Sequence, residues 1–423
     1  MRILHTADWH FGKTLEGRDR IPEQRQFVAE LTALCAQERI DLVLVAGDVY
    51  QTVNPSAQAE ELFYTALDGL SAGGTRGVVV IAGNHDNADR IAAARPLADQ
   101  LGITLMGLPK DVLTPSLAPG GVHRVQAGLG WLEIGIPGCG QRAVIAAVPY
   151  PSEARLNEVL ADSLDESELQ VQYNARLAGL FRDLGTHFRP DTVNLAMSHV
   201  YVQGGLESDS EVQIQVGGAY AVHSSVFPPE AQYVALGHLH RPQGVQGTPM
   251  PMRYAGSPLA YSFSEAGQRK SVVVLDVVPG QPVVWREIPL NSGKPLVRWT
   301  ASEGVGQVLR WVAEGRDAHA WIDLSVHVQT GLQLEEIHRL RDVFPGFVHI
   351  RPVLPEQDGT DPNRQREDVA ELPLDQLFKR FYHERQGVPA DEGLVHLFLE
   401  LAADLDEGDA VHGDDGAGEG MEA

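Results

Sequence analysis

The sequence predicts an α/β fold whose strands end in metal-type side chains. Two observations carry this. Uncharged apolar runs of strand length alternate with amphipathic helical stretches through the first hundred residues. Five such runs, in two separated parts of the chain, are each followed at once by His, Asp or Asn.

In order, Arg2 to Ala7 reads as a short strand that stops at Asp8-Trp9-His10. Phe11 to Arg25 reads as a loop in which Pro22 is suited to open a helix. Phe27, Leu31, Leu34 and Cys35 then recur at helical spacing. Asp41 to Ala46 is a buried strand stopped by Gly47-Asp48, and Leu62, Phe63, Ala66, Leu67 and Leu70 mark one face of a second helix. Val78 to Ala82 is a third strand, leading into Gly83-Asn84-His85-Asp86, where a glycine lets the backbone turn. A β-α-β-α-β order implies parallel neighbours, whose carboxyl ends form the edge at which ligands bind. Asp8, His10, Asp48, Asn84 and His85 fall at that edge. The pattern returns where Asn194 to Ser198 ends in His199 and Gln232 to Leu236 ends in Gly237-His238-Leu239-His240. Any one of these reads better as a cap or loop residue; five together do not.

Between these parts, Gly121 to Pro149 has hairpin character and Ser152 to Gln170 is an acidic segment suited to a solvated helix. Ser271 to Val278 is a further strand. The composition changes near Asn291-Ser292-Gly293-Lys294, and beyond it the pattern again reads β-α-β-α-β, with Ala320 to Val326 alternating cleanly. Leu374, Leu377, Phe378 and Phe381, then Leu394, Leu397, Phe398 and Leu401, mark two amphipathic helices separated by Gly387 and Pro389. The expected division is a main domain over 1–290, a small domain over 291–355, a polar linker over 356–372, a helix pair over 373–403 and a disordered acidic tail over 404–423. Such a helix pair packs on its own chain or offers its stripe to a partner helix.

At 423 residues the chain has room for two or three domains. Its net charge of −24 counts against general nucleic-acid binding, although eight acidic residues sit in the last twenty positions. Two cysteines exclude a disulfide framework and argue against thiolate zinc. No apolar leader opens the chain and no uncharged run reaches membrane-spanning length, so the expectation is a cytoplasmic protein with no membrane contact.

Two aspartates, one asparagine and four histidines converge, with His85 in addition and no cysteine. That donor set suits Mn, Fe or Zn at an open site. Seven ligands exceed what one catalytic ion can use, whereas two ions sharing a carboxylate use them well. Two metals about 3.5–4 Å apart clamp the attacking and leaving oxygens of an in-line displacement at phosphorus.

Asp8-x-His10, Gly47-Asp48, Gly83-Asn84-His85-Asp86, His199 and Gly237-His238-x-His240 resemble, in order and spacing, the five motifs of calcineurin-like metallophosphoesterases. The stretches Ile3 to His10, Ala235 to Arg241 and Gly256 to Glu265 are similar, more narrowly, to the SbcD family of nuclease subunits. The resemblance implies a four-layer sandwich, two β-sheets flanked by helices, with a small α+β DNA-capping domain and a C-terminal helix pair. It implies two Mn2+ ions (or Mg2+), one held by Asp8, His10, Asp48 and His240 and the other by Asp48, Asn84, His199 and His238. His85 would be catalytic, facing the scissile phosphate. Leu377, Phe378, Phe381, Leu394, Leu397 and Phe398 would bind an SbcC-type coiled-coil ATPase, and helices between Ala57 and Leu101 would form a homodimer. Gln51 departs from the His or Asp that relatives often carry there.

His5, inside the first strand, reads as a core group or one that supports the ligands rather than as a ligand itself, and His123, His223, His327 and His349 read as structural or surface residues. Lys13, Arg18, Arg20 and Arg25 form a basic cluster that is either a solvated loop or a contact to the DNA backbone. The function expected is a Mn-dependent DNA exonuclease and endonuclease; the alternative is a phosphatase or phosphodiesterase acting on a small phosphoester.

Overall fold

The computed structural model describes residues 1–156, 166–209, 211, 221–329, 331–355, 376–379, 381–382, 391, 393–395 and 398. The chain forms two compact units. The first comprises Met1–Trp299, Trp311–Leu324 and Arg341–Ile350, the second Thr300–Arg310, Ser325–Leu340 and Arg351 onward. The division runs through the small C-terminal β-α-β-α-β region.

In the first unit the strands are β1 (Arg2–Thr6), β2 (Leu42–Ala46), β3 (Gly77–Ile81), β4 (Ile103–Met106), β5 (Ser116–Leu117), β6 (His123–Gly128), β7 (Trp131–Gly135), β8 (Arg142–Val148), β9 (Val193–His199), β10 (Tyr233–Gly237), β11 (Gln243–Gly244), β12 (Met252–Tyr254), β13 (Ser271–Asp276) and β14 (Val284–Pro289). Helices α1 (Ile21–Gln37), α2 (Ala57–Ser71), α3 (Ala88–Ala93), α4 (Arg95–Ala98), α5 (Glu153–Leu156) and α6 (Glu166–Gly185) run between them. The strands form a six-stranded sheet, order β14-β13-β1-β2-β3-β4, and an eight-stranded sheet, order β11-β12-β10-β9-β8-β7-β6-β5. Strands β1 to β4 are parallel, as their helical crossovers require, and so are β8, β9, β10 and β12. The predicted hairpin region is the antiparallel meander β6-β7-β8.

The apolar runs are continuous because both faces of each strand are buried. In β2, Leu42, Leu44 and Ala46 point into the layer between the sheets, while Val43 and Val45 lie under the helices. From the other side, Ala143, Ile145, Ala147, Val193, Leu195 and Met197 enter the same inter-sheet layer, and Val148, Ala196 and Val234 pack outward. Phe27, Leu31 and Leu34 of α1 and Leu62, Phe63 and Leu67 of α2 cover the outer face of the first sheet. Tyr173, Leu177, Phe181 and Leu184 of α6, spaced at one helical stripe, cover the second. The result is helices, sheet, sheet, helices. Each buried side chain of this size contributes roughly 1.5–3 kcal/mol, and packing between sheets is what holds their edges together.

Three further strands, β15 (Leu296–Ala301), β16 (Trp321–His327) and β17 (Phe347–Val353), form a three-stranded sheet in that order, with α7 (Val305–Ala313) and α8 (Leu334–Val343) between them in sequence. This is the predicted β-α-β-α-β region. In the second unit, Phe378 and Phe398 of the expected helix pair stack on one another, ring centroids 4.1 Å apart and 9° from parallel. Leu377 and Leu394 are half-buried and Phe381 is 53% exposed. Leu397, residues 157–165 of the acidic segment, and the acidic tail lie outside the described residues.

Candidate metal centre

Strand ends from both sheets build the site. As expected, Asp8, His10, Asp48, Asn84 and His85 follow strands of one sheet, the six-stranded one; His199, His238 and His240 come from β9 and β10 of the other. They meet because the sheets approach closely at this edge. A Cβ on Gly237 would lie 1.8 Å from the Ala46 carbonyl oxygen, and one on Gly83 would lie 2.1 Å from Asp48 Oδ1. Only glycine fits at either point.

The side chains gather in two groups. His10 Nε2 lies 3.0 Å from His240 Nε2, and Asp8 joins them, with donor atoms within 4.8 Å of one another. Asn84 Oδ1 lies 2.9 Å from His199 Nε2 and 3.1 Å from His238 Nδ1. Asp48 Oδ2 stands between the groups, 3.5 Å from His10 Nε2 and 3.4 Å from His199 Nε2. Asp8, His10, His199 and His240 are buried, while Asn84 and His85 are half-buried.

Four of these residues adopt left-handed backbone: Asp8 (φ 54°), His10 (φ 47°), Asp48 (φ 49°) and His238 (φ 106°). Such conformations cost on the order of 1–3 kcal/mol each and persist only where the surroundings enforce them. Here the loops brace one another. The Asp8 amide donates to Gly47 O (3.0 Å), the His10 amide to Asp48 O (3.0 Å), and the His238 amide to Asp8 Oδ1 (2.9 Å).

Burial sets the protonation states. It pushes His238 down to about 3, helped by the charge of His199, and pushes His10 well below its ordinary value. Both imidazoles are therefore neutral at pH 7, as metal ligation requires. Burial raises the Asp8 carboxyl well above the usual range. For Asp48 burial acts in the same direction, but His199 and His10 outweigh it and hold the carboxyl well below. Against its own burial, His199 is raised to about 9 by Asp48 and Asp8.

The residues fit a pair of cations. Asp8 Oδ2 and His10 Nδ1 are buried with no hydrogen-bond partner; such atoms are costly unless an ion or donor meets them. The donors are oxygen and imidazole only.

Around the ligands lies a set of orienting groups. The His199 Nδ1–H donates to Ala46 O (2.8 Å), which turns Nε2 to the centre. The His240 ring faces buried Glu265, which also accepts from the Tyr261 and Ser262 amides and pairs with Lys270. Gln24 Nε2 donates to His10 O (3.0 Å), the Gly12 amide donates to Gln24 Oε1 (3.0 Å), and the Tyr261 hydroxyl donates to Trp9 O (2.5 Å). Asp86, expected to orient rather than ligate, accepts three amides: Val49 (3.1 Å), Tyr50 (2.9 Å) and Gly83 (2.8 Å). The His85 Nδ1–H donates to Gln51 O (2.9 Å). Position 51 thus orients His85 through its carbonyl, which any residue supplies. Gln24, Tyr261 and Lys270 were missed in the sequence; for Glu265 a signal existed, the Ser262-x-x-Glu265 capping box.

The basic cluster divides. Arg20 is fully buried, its guanidinium paired with both carboxylate oxygens of Glu23 (2.7 and 2.9 Å) and bound to Ala260 O. It presents no charge at the surface, which corrects its expected DNA contact. Arg18 donates to Phe347 O (2.8 Å), and the half-buried Lys13 ammonium lies 5.2 Å from the Tyr261 ring centroid. Arg25 is exposed, 3.7 Å from Glu61. His5 is a core group as expected: Tyr233 O–H donates to its Nδ1, and its Nε2–H donates to Leu236 O.

Comparison with known proteins agrees with this geometry. The calcineurin-like phosphoesterase family model matches residues 1–242, and a model described as the type 5 capsule protein repressor C-terminal domain matches 292–386. The chain is 50% identical, over 97% of its length and all of the relative's, to the SbcD component of the SbcCD nuclease from Bacillus subtilis. The corresponding SbcCD nuclease components of Rhodobacter capsulatus (38% identical, 71% of this chain, 72% of the relative) and Escherichia coli K12 (28%, 94% and 97%) also match. The chain therefore belongs to the calcineurin-like phosphoesterase family, in its SbcD branch, and is a metal-dependent phosphodiester hydrolase.

Proposed function

We propose that the chain is a Mn2+-dependent DNA nuclease subunit that degrades double-stranded ends and nicks single strands or hairpins, working with an SbcC-type coiled-coil ATPase in the cytoplasm. The observation that carries this reading is the pair of donor groups sharing Asp48 beside two half-buried residues, Asn84 and His85. Asp8, His10, Asp48 and His240 would hold one ion, and Asp48, Asn84, His199 and His238 the other. Bound there, two divalent ions supply an activated water and neutralise charge developing at phosphorus. The chain's own contribution is positional. His85, with Nδ1 committed to Gln51 O, turns Nε2 toward the opening, where it contacts the phosphate and stabilises or protonates the leaving oxygen.

The match over 292–386 supports treating 291–355 as the DNA-capping domain and the following helices as the ATPase-binding segment. Tyr64 (46% exposed) and Leu97 (71%) on α2 and α4 support a homodimer through that region. Lys13, Arg18 and Arg25 remain the basic groups suited to meet a DNA backbone. Purified protein with Mn2+, offered linear duplex, hairpin DNA and a generic phosphodiester, tests the reading, with Asn84→Ala and His85→Ala as controls. Cleavage of both DNAs that the controls lose is expected. Hydrolysis of the simple ester alone would leave a small-phosphoester hydrolase instead.

A further inference from the structure

We propose that Arg155 is a positioning residue of this centre, its guanidinium bracketing Asn84 and His85 by binding the carbonyls on either side of them. The proposal rests on the functional reading above. Arg155 Nη1 donates to Gly83 O (2.7 Å) and Nη2 to Asp86 O (2.5 Å). The two residues between those carbonyls are Asn84, whose Oδ1 meets His199 and His238, and His85, whose Nδ1–H is fixed on Gln51 O. They are also the half-buried members of the site, least held by packing.

Arg155 is itself well placed. Its amide donates to Ser152 Oγ (3.3 Å), and the next residue, Leu156, is buried in the core beneath α6. Its guanidinium carbon lies 5.3 Å from the Tyr150 ring centroid, and the Tyr150 amide donates to Ala82 O (2.9 Å) at the end of β3. The Gly83–Asp86 loop is thus gripped twice. The Asp86 carboxylate holds its amide side, and the Arg155 fork holds its carbonyl side. A planar fork spans two carbonyls at fixed spacing; a lysine ammonium is a single point and does not. Loss of the fork leaves two carbonyls that water satisfies, so the fold survives, while Gly83, with no Cβ, lets the Asn84–His85 peptide swing.

The test uses the full chain with Arg155→Ala, Arg155→Gln and Arg155→Lys. Mn2+ binding is read by the electron paramagnetic resonance signal of free Mn2+, and hydrolysis of duplex DNA and of a simple phosphodiester is read as kcat and KM separately. In the Ala variant we expect one of two Mn2+ equivalents to weaken by about 10–100-fold and kcat to fall by a similar factor, with KM little changed. Lysine restores little, and millimolar methylguanidinium restores part of the Ala variant's activity. Wild-type Mn2+ binding and kcat in the Ala variant would overturn the proposal, and so would full activity of the Lys variant. If Ala fails to fold, Gln, which keeps a stem over Tyr150, decides by the same measurements. A wild-type protein that binds Mn2+ but cleaves no phosphodiester would sink the functional reading alone, and the Mn2+ comparison would still judge Arg155.

Discussion

Replacing Asp86 by alanine should loosen the centre more than it loosens the fold. One carboxylate satisfies three buried amides, those of Val49, Tyr50 and Gly83, at 2.8–3.1 Å. Hydrogen bonds to a charged acceptor contribute about 1.5–3 kcal/mol each. The sum is not additive, since water enters the space the carboxylate leaves, so a loss of about 4 kcal/mol is expected. For a domain of this size that lowers Tm by about 10 °C. Val49 follows Asp48 and Gly83 precedes Asn84, so both groups of ligands are released together. Mn2+ affinity should fall by about 10–100-fold. Asp86→Asn is the discriminating variant. Its carboxamide keeps one acceptor oxygen, but its NH2 faces an amide N–H, so at most two of the three bonds survive and the losses should be intermediate. Isothermal titration with Mn2+ and thermal melts of the metal-free proteins measure both effects. An Asp86→Ala protein with a lowered Tm but wild-type Mn2+ affinity would refute the claim that these bonds place the ligands.

The remaining predictions follow from other parts of the site. Gly83→Ala should abolish Mn2+ binding and destabilise, because its Cβ would sit 2.1 Å from Asp48 Oδ1 and 2.3 Å from the Asp48 amide nitrogen; titration and a melt check both. Arg20→Ala should cost about 3–5 kcal/mol by stranding buried Glu23, whereas Arg25→Ala should leave Tm alone and reduce the salt slope of DNA binding by about one. Urea unfolding and binding titrations across salt separate the two. Glu133 is raised by burial, but Arg189 and Arg142 outweigh this and hold its carboxyl below the ordinary value of 4.5. Its stabilisation is then complete above that value and lost as pH falls through the folded pKa. The Tm gap between wild type and Glu133→Gln should be constant from pH 7 to 5 and close below pH 4.5.

Much of this was legible because strand-end chemistry is local. An apolar run stopped by Asp, His or Asn is visible in eight residues, and all seven candidate ligands lie at such ends. The pairing of two sheets was not visible. In Leu42-Val43-Leu44-Val45-Ala46 every residue is apolar, so no alternation says which face meets a helix and which meets another sheet. Arg20 was misread for a related reason. Its partner Glu23 is three residues away, but the burial of that pair depends on Glu23 also accepting from Trp321 Nε1 and the Lys294 amide, far along the chain. Arg155 and Tyr261 escaped notice because they act on backbone carbonyls, which have no sequence signature, across 72 and 252 residues.

The same contrast explains how the centre is held. Its ligands occupy left-handed backbone conformations at Asp8, His10, Asp48 and His238, which Asp and His tolerate better than most residues but which still need support. What sustains them is a ring of distant groups: Asp86 on three amides, Gln24 and Tyr261 on the His10 loop, Glu265 facing His240, Arg155 on the Asn84 loop. Most of these bonds end on loop backbone, outside the layer between the sheets that stabilises the fold. The geometry therefore draws on residues outside that layer, some of which, like Asp86, also contribute stability. Substitutions in the inter-sheet layer, such as Leu44→Ala or Leu195→Ala, should lower stability by about 2–5 kcal/mol while the protein that stays folded keeps its ligands in place, whereas those in the ring should lower Mn2+ affinity in the protein that stays folded.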